Sequence, residues 1–164
     1  MSDKSKVKLM PLFLFAAGVL LVGGTIFYFS SPLDKAEADI SLQHKDHAVV
    51  DLGKAIYAEN CASCHGVVLE GQANWRQRDA EGYLPAPPHD ETGHTWHHPD
   101  SYLFLMTKYG IEEMIGKSYP NNMPVFEDKL TDDEIIAALS YIKSTWPGRI
   151  QLKHDQINAR AKAH

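Results

Sequence analysis

The sequence predicts an all-α protein that has one membrane helix followed by a small helical domain. Three stretches carry this prediction: an uncharged apolar run at 9–29, apolar residues at helical spacing in 49–60, and an amphipathic segment with a helix-start signal at 131–146. The chain has 164 residues, of which 44% are hydrophobic. This size suits one compact domain with extensions.

The apolar run from Leu9 to Phe29 follows Lys4, Lys6 and Lys8. Its 21 residues would form a helix of about 32 Å, which matches a bilayer core of about 30 Å. A cleaved signal peptide is the alternative, because Ala36-Glu37-Ala38 offers a small-x-small cleavage site. We favour a retained anchor, since signal-peptide cores usually have only about 7 to 15 residues. The lysines predict a cytoplasmic N-terminus and translocation of the rest.

The chain is therefore expected to have five segments. They are a cytoplasmic N-terminus (1–8), a transmembrane signal anchor (9–29), a linker (30–48), a helical domain (49–146) and a C-terminal tail (147–164). The linker is polar, and its apolar residues do not recur at a regular spacing. In the tail, apolar residues recur only weakly at helical spacing. We expect the tail to be helical or frayed, and one hypothesis is that it folds back on the domain.

Two helices bound the predicted domain. Gly53 and Tyr57 are four residues apart on the first helix and so share a face. The last helix has Thr131 as its expected N-cap, with Glu134 completing a capping box, and Pro147-Gly148 ends it. A glycine on one helix facing bulky side chains on the other would permit a close crossing.

Both cysteines of the chain lie in Cys61-Ala62-Ser63-Cys64-His65. The C-x-x-C-H pattern is typical of covalent haem attachment, because two thiols one turn apart reach both vinyl groups and the histidine reaches the iron. A disulfide, a thioredoxin-like pair and half of a zinc site are the alternatives. Zinc would need a second ligand pair, and a thioredoxin-like pair would follow a strand rather than the helical pattern of 49–60. The motif favours one haem c.

The sixth iron ligand would come from one of three downstream methionines, Met106, Met114 and Met123. Met106 lies in an apolar helical stretch and Met114 on a short predicted helix. Met123 is favoured because it lies in 119–124, where prolines and asparagines break any helix and leave a loop. Ligation by His65 and Met123 would close both axial positions, which favours electron transfer over catalysis.

Residues 49–146 resemble class I cytochromes c of the membrane-anchored bacterial type. The resemblance rests on the attachment motif and on a set of flanking features, namely Gly53, Tyr57, Gly66, Met123-Pro124 and Tyr141 in the final helix. It implies a helical fold around covalent haem c, with the domain's first and last helices crossing near Gly53. It also implies that a proline carbonyl, for which we favour Pro87, accepts a hydrogen bond from Nδ1 of His65.

The insertion at 72–99 contains further candidates for haem contacts. Four donors could hold the haem propionates: Trp75, Arg76, Arg78 and Trp96. For the arginines, ordinary surface solvation is the alternative. Residues 89–98 also include four histidines and two carboxylates, a composition that could bind copper or zinc. We favour side-chain hydrogen bonding around the haem edge over this second metal site.

The predicted domain is acidic, with 15 acidic and 7 basic residues in 49–146, whereas the tail has four basic residues and one acidic. This balance disfavours nucleic acid and favours partners with a basic or apolar docking patch. The resemblance implies a non-enzymatic electron carrier in the respiratory chain of a bacterial inner membrane, with a periplasmic haem domain. Its expected partners are a quinol-oxidising bc-type complex and a haem-copper terminal oxidase. The alternatives are a fixed respiratory subunit, a haem enzyme and a copper-handling protein.

Overall fold

A computed structural model describes residues 40–163. The segments predicted at 1–8 and 9–29, and the first part of the linker, lie outside these residues. Within 40–163, no helix has both the length and the apolar character needed to cross a bilayer.

All regular elements within residues 40–163 are helices and none is a strand, which confirms the all-α prediction for this part of the chain. The helices are α1 (His47–Asn60), α2 (Ala62–His65), a 3-10 turn (Thr95–His97), α3 (Asp100–Tyr109), α4 (Ile111–Ile115), α5 (Asp132–Thr145) and α6 (Gly148–Ala161).

The crossing of α1 and α5 organises the core. A Cβ atom on Gly53 would lie only 1.9 Å from the carbonyl oxygen of Ala137, so the two backbones are in contact at this point. One turn further on, the rings of Tyr57 and Tyr141 lie 5.5 Å apart. The predicted crossing near Gly53 is therefore confirmed, although the residue facing the glycine is a small one.

Side-chain caps define where these two helices begin. The Asp46 carboxylate accepts hydrogen bonds from the first turn of α1, including one of 2.9 Å from the Ala48 N–H. Thr131 and Glu134 form the predicted capping box, in which the Thr131 N–H donates to Glu134 Oε2 over 2.8 Å. Each cap satisfies N–H groups that the helix itself leaves without partners.

The chain before α1 is packed against the domain, which differs from the predicted linker boundary at 48. Leu42 is buried, and its N–H donates to Asp100 Oδ2 over 2.9 Å. The Gln43 N–H donates to Ser140 Oγ over 2.8 Å. The few apolar residues of this polar stretch do not follow a helical period, so the sequence pattern did not reveal this contact.

The predicted tail forms helix α6, which packs against the domain. His154 is completely buried, and its Nε2 lies 2.9 Å from the carbonyl oxygen of His98. Asn158 Nδ2 donates to Asp100 Oδ1 over 2.9 Å. Lys143 Nζ pairs with Asp155 Oδ1 at 2.6 Å. The inner face of α6 is largely polar, which explains its weak apolar periodicity.

Candidate functional site

The attachment motif forms a single tight turn at the end of α1. Backbone torsions at Cys61 (φ −121°, ψ −37°) break the helix, and its carbonyl oxygen then accepts the N–H groups of Cys64 and His65 at 3.1 and 2.9 Å. Residues three and four apart on such a turn share a face. Both thiols are free, and burial raises the pKa of the Cys61 thiol to about 11. The structure has no disulfide between them.

The imidazole of His65 is held by the proline-rich segment. It is nearly buried, and its Nδ1 lies 2.9 Å from the carbonyl oxygen of Pro87. A carbonyl only accepts, so Nδ1 carries the proton and donates. Burial also lowers the pKa of His65, although this hydrogen bond opposes the effect. The neutral ring thus keeps the Nε2 lone pair, which is the form that binds a metal.

Backbone hydrogen bonds fix the position of this carbonyl. Before Pro87, the Ala86 carbonyl oxygen accepts the Gln72 N–H, and the Ala86 N–H donates to Gln72 Oε1, each over 2.8 Å. After it, the carbonyl oxygen of His89 accepts the Trp146 indole N–H over 2.7 Å. The Pro87 carbonyl, which accepts the hydrogen bond from His65, therefore lies in a segment that is hydrogen-bonded both to the loop after the motif and to the end of α5.

Two glycines allow the backbone to close around Pro88. A Cβ on Gly93 would lie 1.9 Å from the Pro88 carbonyl oxygen, and one on Gly71 would lie 2.4 Å from the Pro88 nitrogen. Gly71 also has a φ of +67°, a conformation that side chains disfavour. The segment that holds Pro87 thus depends on contacts that only glycine permits.

Met123 lies in a loop that side chains hold in place. It is half-buried and packs against the hydrophobic core. Four residues earlier, the Tyr119 N–H donates to Glu112 Oε1 over 2.8 Å, and Arg78 Nη2 lies 3.0 Å from the Tyr119 hydroxyl oxygen. Beyond the loop, the Phe126 N–H donates to the carbonyl oxygen of Thr107 over 3.3 Å.

The family model for cytochrome c matches residues 50–146, which is more than half of the chain. The chain belongs to the cytochrome c family. Comparisons with curated proteins and with solved structures found no match.

The motif suits the haem that this family binds covalently. Cys61 and Cys64 have the spacing of the attachment cysteines, both sulfurs are free, and Cys64 is exposed. The neutral His65 ring beside them has Nε2 available as a ligand. When bound, haem c supplies a one-electron iron couple, which makes the protein an electron-transfer haem protein.

The structure places the predicted propionate donors in different surroundings. The Arg76 guanidinium lies 4.1 Å above the Trp75 ring, which in turn stacks on His94. The Trp96 indole N–H instead donates to the carbonyl oxygen of Glu91 over 3.3 Å. The side chains of Trp75 and Arg76 therefore stack on each other. The indole N–H of Trp96 is already used in a hydrogen bond to the backbone. Their roles toward haem remain predictions.

The sequence did not reveal that Arg78 and Glu112 both bind Tyr119 in the loop that contains Met123. The Arg78 guanidinium, predicted as a propionate donor, donates to Tyr119 and to the carbonyl oxygen of Gly82. Glu112 accepts from the Tyr119 backbone. No spacing rule connects Arg78 with Tyr119, because these two residues lie in separate loops and are 41 residues apart.

Histidine side chains of the loop at 89–98 stack on neighbouring rings and form hydrogen bonds. His89 stacks on His65 with ring centroids 4.0 Å apart, and its Nδ1 lies 2.7 Å from Thr95 Oγ1. His98 stacks on Tyr102 with centroids 4.5 Å apart. In the described part of the chain, no three His, Cys, Asp or Glu side chains are grouped as metal ligands. These contacts favour the side-chain packing alternative for this loop.

Proposed function

We propose that this protein is a class I monohaem cytochrome c that is anchored in a bacterial inner membrane and carries single electrons in the periplasm. The observation that carries the haem assignment is the His65 ring, whose Nδ1 is held by Pro87 so that Nε2 is free beside the two attachment thiols. The membrane location is supported by the 21-residue apolar run after three lysines.

Four of the predicted site residues would hold the haem in this proposal. Cys61 and Cys64 would form the thioether links, and His65 and Met123 would bind the iron. Loop 119–124 brings the Met123 thioether to the core surface, which suits a ligand that must reach a partly buried iron. If both residues bind the iron, no position would be open to oxygen or peroxide, which would favour a carrier over an enzyme.

Electron exchange would occur where the attachment motif reaches the surface. Cys64 is exposed, and the two valines that follow the motif by two and three residues, Val67 and Val68, are 76% and 70% exposed. Exposed apolar side chains of this size are typical of contact surfaces. They would meet an apolar patch on the partners, for which we propose a bc-type quinol-oxidising complex as donor and a haem-copper terminal oxidase as acceptor.

A fixed subunit of a respiratory supercomplex or oxidase is the second candidate. It is supported by Gly18, Gly23 and Gly24 in the apolar run, because glycine lets membrane helices approach closely. Extraction in mild detergent separates the two candidates. A free shuttle should elute separately from the oxidase on size-exclusion chromatography, whereas a subunit should co-elute with it in fixed stoichiometry.

Optical spectroscopy of the holoprotein tests the proposed ligand set. The ferric protein should show the weak sulfur-to-iron charge-transfer band in the far red, and Met123→Ala should abolish it and allow carbon monoxide to bind the ferrous form. Met106→Leu is the control, because it changes another half-buried methionine and should retain the band. A wild-type protein that lacks the band and binds carbon monoxide readily would refute the closed site and favour a haem enzyme.

A further inference from the structure

The outer face of α6 carries a line of basic side chains. Arg149, Lys153 and Arg160 are four and seven residues apart, so they lie along one side of the helix, and all three are exposed. Leu152 lies beside them and is 65% exposed. Within residues 40–163, none of the three cations takes part in an ion pair. We call Arg149, Lys153 and Arg160 the basic stripe.

The opposite face of α6 fixes the basic stripe to the domain. Ile150 and His154 are buried, and Asn158 exchanges hydrogen bonds with Asp100 in α3. The Gln151 side-chain amide donates to the carbonyl oxygens at the end of α5, including that of Trp146 at 3.1 Å. The basic stripe is therefore part of the rigid surface and turns with the whole domain.

The chain enters the domain next to α6. Asp100 binds both Asn158 of α6 and the N–H of Leu42, so the residues that follow the proposed tether join the domain at this end. Phe29, the end of the predicted anchor, is eleven residues from Ile40. This distance is at most about 40 Å in a fully extended chain, so an anchor ending at Phe29 would keep this end of the domain within that distance of the bilayer.

We propose that the basic stripe binds the anionic lipid headgroups of the membrane that anchors the protein, with Leu152 contacting the acyl boundary. This inference rests on the proposed membrane anchor. Residues 49–146 have eight more acidic than basic side chains and are repelled by an anionic surface, whereas α6 is attracted. Charge complementarity therefore selects one orientation, in which α6 faces the lipid and the haem keeps a fixed angle to the membrane.

The test uses the full-length holoprotein in oriented multilayers of two compositions, one with phosphatidylglycerol and one with phosphatidylcholine alone. Electron paramagnetic resonance of the ferric haem, recorded at different angles of the field to the membrane normal, measures whether the haem has one orientation. The triple variant Arg149→Gln, Lys153→Gln and Arg160→Gln removes the stripe. The variant Lys54→Gln, Lys117→Gln and Lys129→Gln is matched to it, because it removes three exposed cations from other elements.

The wild type and the matched variant should show an angle-dependent spectrum in the anionic multilayers, and this dependence should weaken at high salt. The stripe variant should give the angle-independent spectrum of a randomly oriented domain, as should the wild type in phosphatidylcholine. Equal order in both lipids would overturn the proposal and indicate another occupant of the stripe, such as a second copy of the chain or the acidic residues of 34–39. No order in either lipid would also overturn it.

A separate measurement distinguishes failure of the anchor from failure of the stripe. Alkaline carbonate should leave the wild type and both variants in the vesicle pellet, because an integral helix resists this wash. Release of all three proteins would refute the membrane anchor itself. Retention of all three, with no difference in haem order between them, would refute only the lipid contact of α6.

Discussion

The two proposed iron ligands are supported in different ways. The segment that holds His65 is tied by backbone hydrogen bonds on both sides of Pro87 and by glycine contacts around Pro88. Within the described residues, 117–125 make no backbone-to-backbone hydrogen bond. This second region, which contains Met123, is held by side chains, chiefly through Tyr119 and the packing of Met123 itself.

This difference indicates which of the two ligands would dissociate from the iron first. Backbone contacts in a closely packed segment have few alternatives, because moving one residue moves its neighbours. Exposed side-chain contacts can be exchanged for water at a small cost in free energy. We therefore expect His65 to remain bound under conditions that release Met123. Three substitutions test this expectation in order of decreasing effect, and a fourth, with the smallest effect, tests a helix cap that contacts neither ligand.

Gly93→Ala should have the largest effect, because its Cβ would overlap the Pro88 carbonyl oxygen. We expect the free energy of unfolding to fall by about 3 kcal/mol, as in other overpacked sites. Denaturant unfolding measures it. Gly148→Ala is the control, since nothing lies within 4 Å of its Cβ position, and it should be nearly neutral. Equal stability of both variants would show that the Pro87 segment is not rigid.

Trp146→Phe should have the next largest effect. It removes the indole N–H that donates to the His89 carbonyl oxygen over 2.7 Å and leaves that acceptor without its partner. We expect a loss of about 2 kcal/mol in unfolding free energy. Trp96→Phe removes a longer bond, 3.3 Å, at a half-buried position and should cost clearly less. The reverse order would contradict the importance of the link between α5 and the Pro87 segment.

Arg78→Gln should loosen the second region while leaving the first intact. It removes the charged donor to the Tyr119 hydroxyl, an exposed contact worth about 1 kcal/mol, which corresponds to a roughly fivefold larger open fraction. The sulfur-to-iron band should therefore disappear at a lower denaturant concentration than in the wild type, while the unfolding free energy falls by only about 1 kcal/mol.

Lys54→Gln is the control for Arg78→Gln, because it removes an exposed cation from α1 that has no role in the site, and it should leave the denaturant dependence of the band unaltered. An unchanged band in both variants would show that Tyr119 does not position the Met123 loop.

Glu134→Gln should have the smallest effect, and it concerns neither ligand. Hydrogen bonds from the Thr131 backbone and hydroxyl lower the pKa of Glu134, so its carboxylate stabilises the fold above its usual pKa of about 4.3. This contribution is lost as the pH falls through the lowered value. In Glu134→Gln the unfolding free energy should therefore fall less steeply as the pH is lowered through the acid range. Asp133→Asn, at an exposed position outside the capping box, should keep the wild-type shape.

Local patterns predicted the parts of the site that lie close together in the chain. The capping box spans four residues, the attachment motif spans five, and the Gly53 to Tyr57 face spans one helical turn. Spacing alone defines such contacts, because they form within a single helix or turn. The hydrogen bond from His65 to Pro87 was expected only from the family resemblance, which did not by itself identify the proline.

Local sequence patterns are sufficient to predict the helical class, the attachment motif and the ends of α5. The contacts of Leu42 with Asp100, of Arg78 with Tyr119 and of Trp146 with His89 become apparent in the folded chain. These partners are 58, 41 and 57 residues apart. No periodicity relates positions so distant, because their meeting depends on how the helices pack, and that packing decides how firmly each ligand is held.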